Sequence, residues 1–346
     1  MNSTIALFLL QDGVINGAIY ALLGVTLVLV FAVTRVIFVP QGEFMTWGAL
    51  TLASLEAGVT PGTASLLAVL GCCAAVVEFI RERSAMTPRR IGMIALRDIA
   101  MPIALLLIVN ALAPTKPALW LSVLLTLALV IPLGPLVYRL AFQPIADATV
   151  LTLFIAAIGV HFAMIGLGLI FFGAEGFRTE PFIAGLFPVG PLMFKGQSLV
   201  ILAVTAALLG GLWFFFEHSM LGKALRATAI NRLGARLVGI PTRATGRIAF
   251  ALAAAIGALS GTLIGSLTTI SYDSGFIISL KGFVAAIAAG LASYPLTVAA
   301  AILVGVLESF SAFFASAYKE VIVFSLIIPL LIWRSLVTHT HDEEEE

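Results

Sequence analysis

Residues 13–35 read GVINGAIYALLGVTLVLVFAVTR, and this stretch decides the fold. Its first 22 residues carry no charge, and about 20 apolar residues are enough for a helix to cross the hydrocarbon core of a bilayer. The rest of the chain has the same character: 61% of its 346 residues are hydrophobic, 11% are charged, and the mean hydropathy is +1.12. A soluble domain has about 25% charged residues. The sequence therefore predicts a protein that crosses the membrane many times.

Ten further apolar blocks follow the first, so we expect an all-α, polytopic transmembrane helix bundle of about 9–11 spans that forms one domain, residues 1–346. The blocks lie near 43–57, 62–80, 99–113, 118–138, 149–172, 197–216, 248–270, 277–292, 294–314 and 320–337. Blocks 43–57, 99–113 and 277–292 are shorter than a full span of about 30 Å. We expect these three to be broken, re-entrant or buried among other helices, because irregular backbone is tolerated only away from lipid.

Lysine and arginine are distributed unevenly between the segments that join these blocks. Residues 81–97, residues 217–247 and three isolated arginines hold fourteen of the nineteen basic residues, and all of these fall on one side of the membrane. Cytoplasmic loops are rich in lysine and arginine, so we expect that side in the cytoplasm and residues 173–196 outside. The chain then begins outside and ends inside with a disordered acidic tail, 338–346.

Several classes of function are excluded by what the sequence lacks. A net charge of +1 without a large basic field argues against nucleic-acid binding. There is no GxxxxGK[ST], HExxH, CxxC or GxSxG motif, so we expect no ATP site, no metal site and no catalytic residue in this chain. Cys72 and Cys73 are predicted to be small apolar residues. His161, in the middle of an apolar block, is predicted to pack or to form a hydrogen bond between helices.

Polar residues inside the apolar blocks are costly to bury, which makes them candidates for a solute pathway. We select Asn16, Gln41 and Glu43. Beside Gln41 and Glu43, Pro40 and Gly42 are expected to break the helix and free backbone groups. Two interpretations of Glu43 stay open: it lines the pathway, or it caps the N-terminus of the following helix, which is worth about 0.3–1 kcal/mol.

Charged residues within spans are expected to be paired. Lys281 would then pair with a carboxylate such as Asp273. Glu78 lies within one helical turn of Arg81 and is expected at a helix interface.

Glycines spaced four residues apart let helices approach closely, within the subunit or across a dimer. The glycines predicted to pack helices in this way are Gly13, Gly17, Gly257, Gly261 and Gly265.

Residues 222–240, GKALRATAINRLGARLVGI, form the centre of the longest polar segment, 217–247. Small and apolar residues recur between arginines, which predicts short helices joined near Gly234 with one apolar and one basic face. The residues alone leave two interpretations open: this face docks another protein, or it lies on anionic lipid.

This segment resembles the cytoplasmic coupling loop of ABC importer permeases, and the chain as a whole resembles the branched-chain amino acid ABC transporter permease family, the LivH-like proteins. The resemblance rests on residues 13–35, QGEFMTWGAL (41–50), residues 222–240, LKGFVAAIAAGLAS (280–293) and SAYKEVIVFSLIIPLLI (316–332). It implies an ATPase-coupling role for Gly222, Ala224, Arg226, Ala227, Arg232, Ala235, Arg236 and Gly239.

The resemblance implies a membrane-spanning permease subunit of an ATP-driven importer in the bacterial cytoplasmic (inner) membrane. Its solute would be a small polar organic molecule, in the first place a branched-chain amino acid or a related acid or amide. The implied partners are ABC ATPase subunits that bind the ATP, a second permease subunit in a homodimer or heterodimer, an external solute-binding protein and membrane lipid. The alternative is a self-sufficient secondary carrier or channel, for which we expect a charged ion-coupling cluster and an internal repeat; neither is evident in the sequence.

Three features depart from the family pattern. Family members usually carry an Asn-Phe-Ala-His-Gly-Glu-Phe-like stretch where this chain has IFVPQGEF at 37–44. Residues 72–117 resemble an insertion, and WRSL at 333–336 replaces an end rich in arginine and proline. The first departure touches the predicted pathway, so the family is a weaker guide to the solute than to the fold.

Overall fold

The computed structural model describes residues 3–81, 87–190, 192–326, 328–329 and 332. The predicted acidic tail, 338–346, lies outside these residues. The α-helices are α1 (Ser3–Thr34), α2 (Gln41–Glu56), α3 (Gly62–Arg81), α4 (Pro88–Ile94), α5 (Met101–Leu112), α6 (Leu119–Val130), α7 (Leu133–Val137), α8 (Val150–Phe172), α9 (Gly196–His218), α10 (Met220–Ile230), α11 (Arg232–Leu237), α12 (Thr242–Ile264), α13 (Ser274–Ala288), α14 (Tyr294–Phe314) and α15 (Lys319–Ser325). Short π-helical turns, Ala95–Ala100 and Tyr138–Phe142, join α4 to α5 and extend α7.

Eight helical runs among the described residues are long and apolar enough to cross a membrane, and each coincides with a predicted block. The shorter helices α2 and α13 pack among them, and the whole confirms the predicted all-α polytopic bundle. Block 99–113 is longer than expected, because it belongs to a 25-residue helical run, Ile91–Thr115. The two charges that shorten the apolar block, Arg97 and Asp98, lie within this helix and are ion-paired.

Helix α1 lies at the centre of the bundle, in contact with α12, α13 and α14. Gly13 and Gly17 face α14: a Cβ atom at Gly13 would lie 2.5 Å from Cα of Val306, and one at Gly17 would lie 2.7 Å from Cα of Ile302. Real Cβ atoms do not approach so closely, so only glycine allows α14 to pack at this distance. These two glycines therefore act within the chain.

Helix α2 begins halfway through the bundle, not at its surface. The preceding residues, 35–40, form no helix and lead up the side of α12. The Phe38 ring packs against Phe250 with centroids 4.7 Å apart, and Gln41 donates a hydrogen bond to the carbonyl of Ala253. Because Ala253 is the middle residue of α12, the N-terminus of α2 lies near mid-membrane.

The glycines of α12 bring it close to α2. A Cβ atom at Gly257 would lie 2.9 Å from the Cβ of Phe44, and one at Gly261 would overlap the carbonyl oxygen of Met45. Gly265 follows the end of α12 and faces Thr179 in the loop between α8 and α9.

Helix α13 is a second half-helix, and it points the opposite way. Its N-terminus meets that of α2, since a Cβ atom at Gly42 or at Gly275 would overlap the backbone carbonyl of the other residue. From there α13 follows α1, with Gly282 against Gly24. The order of long helix, non-helical segment, half-helix and long helix thus occurs twice in opposite orientations, in residues 3–81 and 242–314. The structure contains this inverted repeat although the sequence does not reveal one.

The two ends of the bundle differ in charge and structure. At one end, residues 146–147 and 217–247 lie together with the helix ends near Arg139; we call this the arginine-rich face. At the other end, the opposite face, residues 173–190 and 192–196 pack on the bundle: Arg178 donates hydrogen bonds to carbonyls of the turn after α12. This loop contains an antiparallel hairpin, β1 (Leu186–Val189) and β2 (Leu192–Lys195), the one sheet among the described residues.

Candidate functional site

A cluster of buried polar side chains surrounds the point where the N-termini of α2 and α13 meet. Each member is at most 5% exposed. We define the polar cluster as Gln41, Glu43, Thr46, His161 and Ser279. A helix N-terminus presents free N–H groups and a partial positive charge. Two such termini at mid-membrane are the arrangement by which broken helices in transporters contact polar solutes.

Several polar atoms of this cluster have no hydrogen-bond partner among the described residues. They are Oε1 of Gln41, both carboxylate oxygens of Glu43, Oγ1 of Thr46 and Nδ1 of His161, with Nε1 of the neighbouring Trp47. Only one end of the Gln41 amide is held, by the 3.1 Å hydrogen bond from Nε2 to the carbonyl of Ala253. Buried polar atoms without partners are rare in folded proteins. Their concentration here makes the polar cluster the candidate site.

Glu43 and His161 face each other within this cluster. Nδ1 of His161 lies 3.1 Å from Oε1 of Glu43, although the two atoms are not aligned for a hydrogen bond. The His161 ring packs on Phe276 of α13, with centroids 4.5 Å apart. The imidazole therefore joins α8 to both half-helices. The predicted role of His161 in helix packing agrees with these contacts, but its partner Glu43 was not predicted. The signal for a place in the candidate site was that His161 is an ionisable residue within a span.

An apolar cleft adjoins the polar cluster between α8 and α13. It encloses about 510 Å³. His161 and Ser279 are the polar residues of its lining, which otherwise consists of aliphatic and aromatic side chains such as Leu27, Ile158 and Phe283. The cluster and the cleft together offer hydrogen-bonding groups next to an apolar volume, which suits a small molecule with one polar and one aliphatic end.

The third predicted pathway residue, Asn16, lies elsewhere. It is half-buried on α1, between the two glycines that face α14. Among the described residues, no hydrogen bond joins it to Gln41 or Glu43. The structure thus brings two of the three candidates together, with His161, Thr46 and Ser279 in addition.

Lys281 is paired with Glu308 of α14, not with Asp273 as expected. The hydroxyl of Tyr20 donates a 2.5 Å hydrogen bond to the same carboxylate, and Nζ of Lys281 lies 5.5 Å from the Tyr20 ring centre. Lys281 and Glu308 are both buried. Asp273 was favoured by its closeness in sequence, whereas helix packing places Glu308 beside Lys281. The pair carries no net charge and, together with Tyr20, connects α1, α13 and α14.

A second group of charges attaches the predicted insertion to the bundle. Arg139 forms ion pairs with both Glu78 of α3 and Asp98. Arg97, next to Asp98, pairs with the same two carboxylates at 2.8 Å. Two cations and two anions therefore neutralise one another where the helical run Ile91–Thr115 crosses α3.

Helices α10 and α11 form the segment predicted to couple to an ATPase. They meet at Asn231, three residues before the expected junction at Gly234, because the Asn231 side chain accepts a 2.8 Å hydrogen bond from the Gly234 N–H and so starts α11. Gly222 and Ala235 are buried, so they support the two helices from the bundle side. Ala224 and Ala227 are half-buried.

The arginines of this segment mostly contact the chain itself. Arg226 pairs with Glu217 at 2.9 Å, and Arg232 donates a 2.8 Å hydrogen bond to the carbonyl of Ala146. Arg236 pairs with Asp147 at 2.9 Å, and this contact holds the pKa of the Asp147 carboxyl below its ordinary value. The bonds of Arg232 and Arg236 fasten α11 to the loop between α7 and α8, whereas that of Arg226 joins α10 to the end of α9.

Part of the exposed surface of this segment is apolar. Its large exposed apolar side chains are Ile230, Leu233, Leu237 and Val238, each at least 68% exposed. The polar side chains of Lys223, Arg226, Asn231 and Arg236 are exposed as well. Gly239 follows Val238 in a left-handed backbone conformation, φ +86°, with open space around it. Such a group of exposed apolar side chains, which we call the apolar patch, is typical of an interaction surface. The alanines predicted to face a partner are half-buried or buried, whereas these larger apolar side chains are available for contact.

The family model described as "Branched-chain amino acid transport system / permease component" matches residues 9–331. The chain is 29% identical over 208 residues to the high-affinity branched-chain amino acid transport system permease protein BraD of Pseudomonas aeruginosa, covering 58% of this chain and 68% of BraD. It is 29% identical over 201 residues to the corresponding protein LivH of Escherichia coli K12, covering 56% of this chain and 65% of LivH. The chain thus spans about two thirds of the length of these relatives.

One solved structure, "PsaBC from Streptococcus pneumoniae in complex with Fab", aligns with 94% of this chain and 90% of its own. The sequence identity is 12% and the TM-score is 0.41, a value too low to establish a common fold.

Proposed function

This chain belongs to the family of permease components of branched-chain amino acid transport systems, and on that premise we propose that it is the membrane-spanning subunit of an ATP-driven importer. Residues 1–346 form one permease domain that binds no nucleotide itself. Separate ABC ATPase subunits bind and hydrolyse the ATP, a second permease subunit completes the membrane part, and an external protein delivers the solute. The assembly lies in the bacterial cytoplasmic membrane, with the arginine-rich face in the cytosol.

The exposed apolar patch on α10 and α11 is the observation that carries this proposal. The conformational changes of a separate ATPase must be transmitted to the permease, so the permease needs a surface that binds the ATPase. Leu233, Leu237 and Val238 provide that surface, and the bonds of Arg232 and Arg236 to the neighbouring loop transmit force to the bundle. A lipid-lying helix is a weaker explanation, because α11 has six residues and its two arginines are bonded to the protein, not directed towards lipid.

The polar cluster and its cleft are proposed as part of the solute pathway. The free N–H groups of α2 and α13 favour a carboxylate, Glu43 favours an ammonium group, and the cleft between α8 and α13 accepts an aliphatic side chain. A branched-chain amino acid, or a related small acid or amide, has these groups. In this proposal Gln41 selects among solutes: its Oε1 atom has no hydrogen-bond partner among the described residues, and an amide can both donate and accept.

A self-sufficient carrier is the competing function. The inverted repeat is compatible with either class, because it positions the broken helices but supplies no energy source. Apart from Glu43 and His161, which face each other in the polar cluster, the charged groups inside the described part of the bundle, such as Lys281 with Glu308 and Arg139 with Asp98, are paired with each other. A carrier needs ion-coupling groups that change their partners, so paired charges favour an external source of energy.

Docking is tested by measuring ATP hydrolysis by the partner ATPase in the presence of the reconstituted chain. Leu237→Glu places a charge in the apolar patch and should abolish the stimulation of hydrolysis. Leu186→Glu, on the opposite face and 60% exposed, is the matched control and should leave it unchanged. Gly239 is a poorer test site, because any side chain at φ +86° is strained. Full stimulation by Leu237→Glu, with normal membrane insertion, would contradict docking at α11.

A further inference from the structure

An apolar groove opens near the arginine-rich face, between α1, α9, α10 and the start of α14. It encloses about 610 Å³. Its walls include Leu29, Leu209, Leu212, Trp213, Leu225 and Val298. Apart from Leu225 of α10, these residues come from the ends of α1, α9 and α14 that reach the arginine-rich face, so the groove lies at the depth of one lipid leaflet. Helix α10 contributes its fourth wall.

Two guanidinium groups stand at the groove, Arg35 and Arg226. Arg35 is exposed just after α1, with φ +62°, and lies 6.0 Å from the Phe31 ring centre. It forms no ion pair with a carboxylate among the described residues, whereas Arg226 pairs with Glu217. The lining therefore combines apolar walls with one net positive charge at the rim.

We propose that this groove binds one anionic phospholipid, with an acyl chain along the walls and the phosphate at Arg35. A purely apolar occupant would make no use of the Arg35 charge at the rim, and a free anion would make no use of the apolar walls. A phosphate accepts charge-assisted hydrogen bonds from a guanidinium group, and basic residues near a membrane surface favour anionic over neutral lipid. Trp213, 66% exposed at the end of α9, is of the residue type that concentrates at this boundary.

The test is native mass spectrometry of the full chain released from nanodiscs that contain palmitoyl-oleoyl phosphatidylglycerol and palmitoyl-oleoyl phosphatidylcholine in equal amounts. The chain should retain one phosphatidylglycerol, in preference to phosphatidylcholine by about fivefold, as expected for one arginine close to the headgroup. Arg35→Gln should remove the preference, and Leu209→Trp, which fills the groove, should remove retention of both lipids. The matched controls Arg89→Gln and Leu151→Trp, at exposed sites outside the groove, should behave as the unmodified chain.

Three outcomes would overturn the proposal. Equal retention of the two lipids by the unmodified chain would remove the role of the charge. Unchanged retention by Leu209→Trp would place the lipid elsewhere. Loss of a chain dimer on Leu209→Trp, without a change in retained lipid, would show that a second copy of the chain fills the groove.

Discussion

Nδ1 of His161 lies 3.1 Å from Oε1 of Glu43, which brings together residues 118 positions apart in the sequence at mid-membrane. Glu43 is in the first turn of α2, where a carboxylate is favoured by the helix dipole. Its oxygens nevertheless accept no backbone hydrogen bond among the described residues. The side chain is directed to α8 and the polar cluster, so the cap interpretation alone does not explain its position.

Replacing Gln41 should change which solutes are carried. Gln41→Ala removes the free Oε1 atom, and Gln41→His introduces the residue usual in the family, so we expect each variant to alter the uptake ranking across branched-chain amino acids, amides and small acids. Gln11→Ala is the matched control, because Gln11 also donates one 3.1 Å hydrogen bond to a backbone carbonyl but lies in an exposed contact with the loop hairpin. Each alanine variant should lose about 0.5–1.5 kcal/mol of stability. An unchanged ranking for both Gln41 variants, at equal protein abundance, would remove Gln41 from the pathway.

The contact between the two half-helices should tolerate no side chain. Gly275→Ala places a Cβ atom on the Gly42 carbonyl and should cost at least about 1–3 kcal/mol through overpacking. Gly210→Ala is the control, since nothing lies within 4 Å of a Cβ atom at that position of α9; it should be neutral or stabilise by up to about 1 kcal/mol. Thermal unfolding in detergent measures both. Equal melting temperatures for Gly275→Ala and the unmodified chain would contradict the close contact.

The Lys281–Glu308 pair should show strong coupling. Lys281→Met leaves a buried carboxylate without its cation, which typically costs about 3–5 kcal/mol. The double variant Lys281→Met with Glu308→Leu removes both charges and should recover most of that loss. A double-mutant cycle from denaturant unfolding provides the measurement. If the two single changes are additive, the charges do not interact as the structure describes.

Acidification should loosen α11. Because Arg236 lowers the pKa of Asp147, the pair stabilises the folded chain at neutral pH, and this contribution is lost as the pH falls below the ordinary carboxyl value of 3.8 and through the lowered one. Hydrogen exchange of residues 232–237 should therefore rise in that range beyond its intrinsic pH dependence. In Asp147→Asn, exchange should already be raised at neutral pH and gain nothing further on acidification. Identical profiles for the two proteins would show that the pair does not hold α11.

Long apolar runs were predictable because a span requires little more than length and hydrophobicity, as residues 13–35 illustrate. The depth of α2 was not, because it depends on where Gln41 and Phe38 meet α12, more than 200 residues later. Pro40 and Gly42 indicated the helix break. They could not indicate that the N-terminus of α2 lies halfway along α12.

Partners of charged and polar side chains were the least predictable part of the site. Lys281 has Asp273 nearby in sequence but meets Glu308 through the packing of α13 on α14. His161 has no polar neighbour in its own block, so its contact with Glu43 follows only from the arrangement of three helices. The position of the α10–α11 junction has a local cause. Asn231 is a favoured N-cap residue and starts α11, so the junction lies there and Gly234 falls inside the helix.

The central claim, that this chain imports a solute only with energy from a separate ATPase, is tested most directly by uptake into proteoliposomes. The chain is reconstituted with its second permease subunit and external binding protein, and uptake of a labelled branched-chain amino acid is measured with and without the ATPase subunits, with ATP supplied on the side of the arginine-rich face. We predict concentrative uptake only when the ATPase subunits and ATP are both present. Equal concentrative uptake without the ATPase, driven by an imposed ion gradient, would contradict the account and identify a self-sufficient carrier.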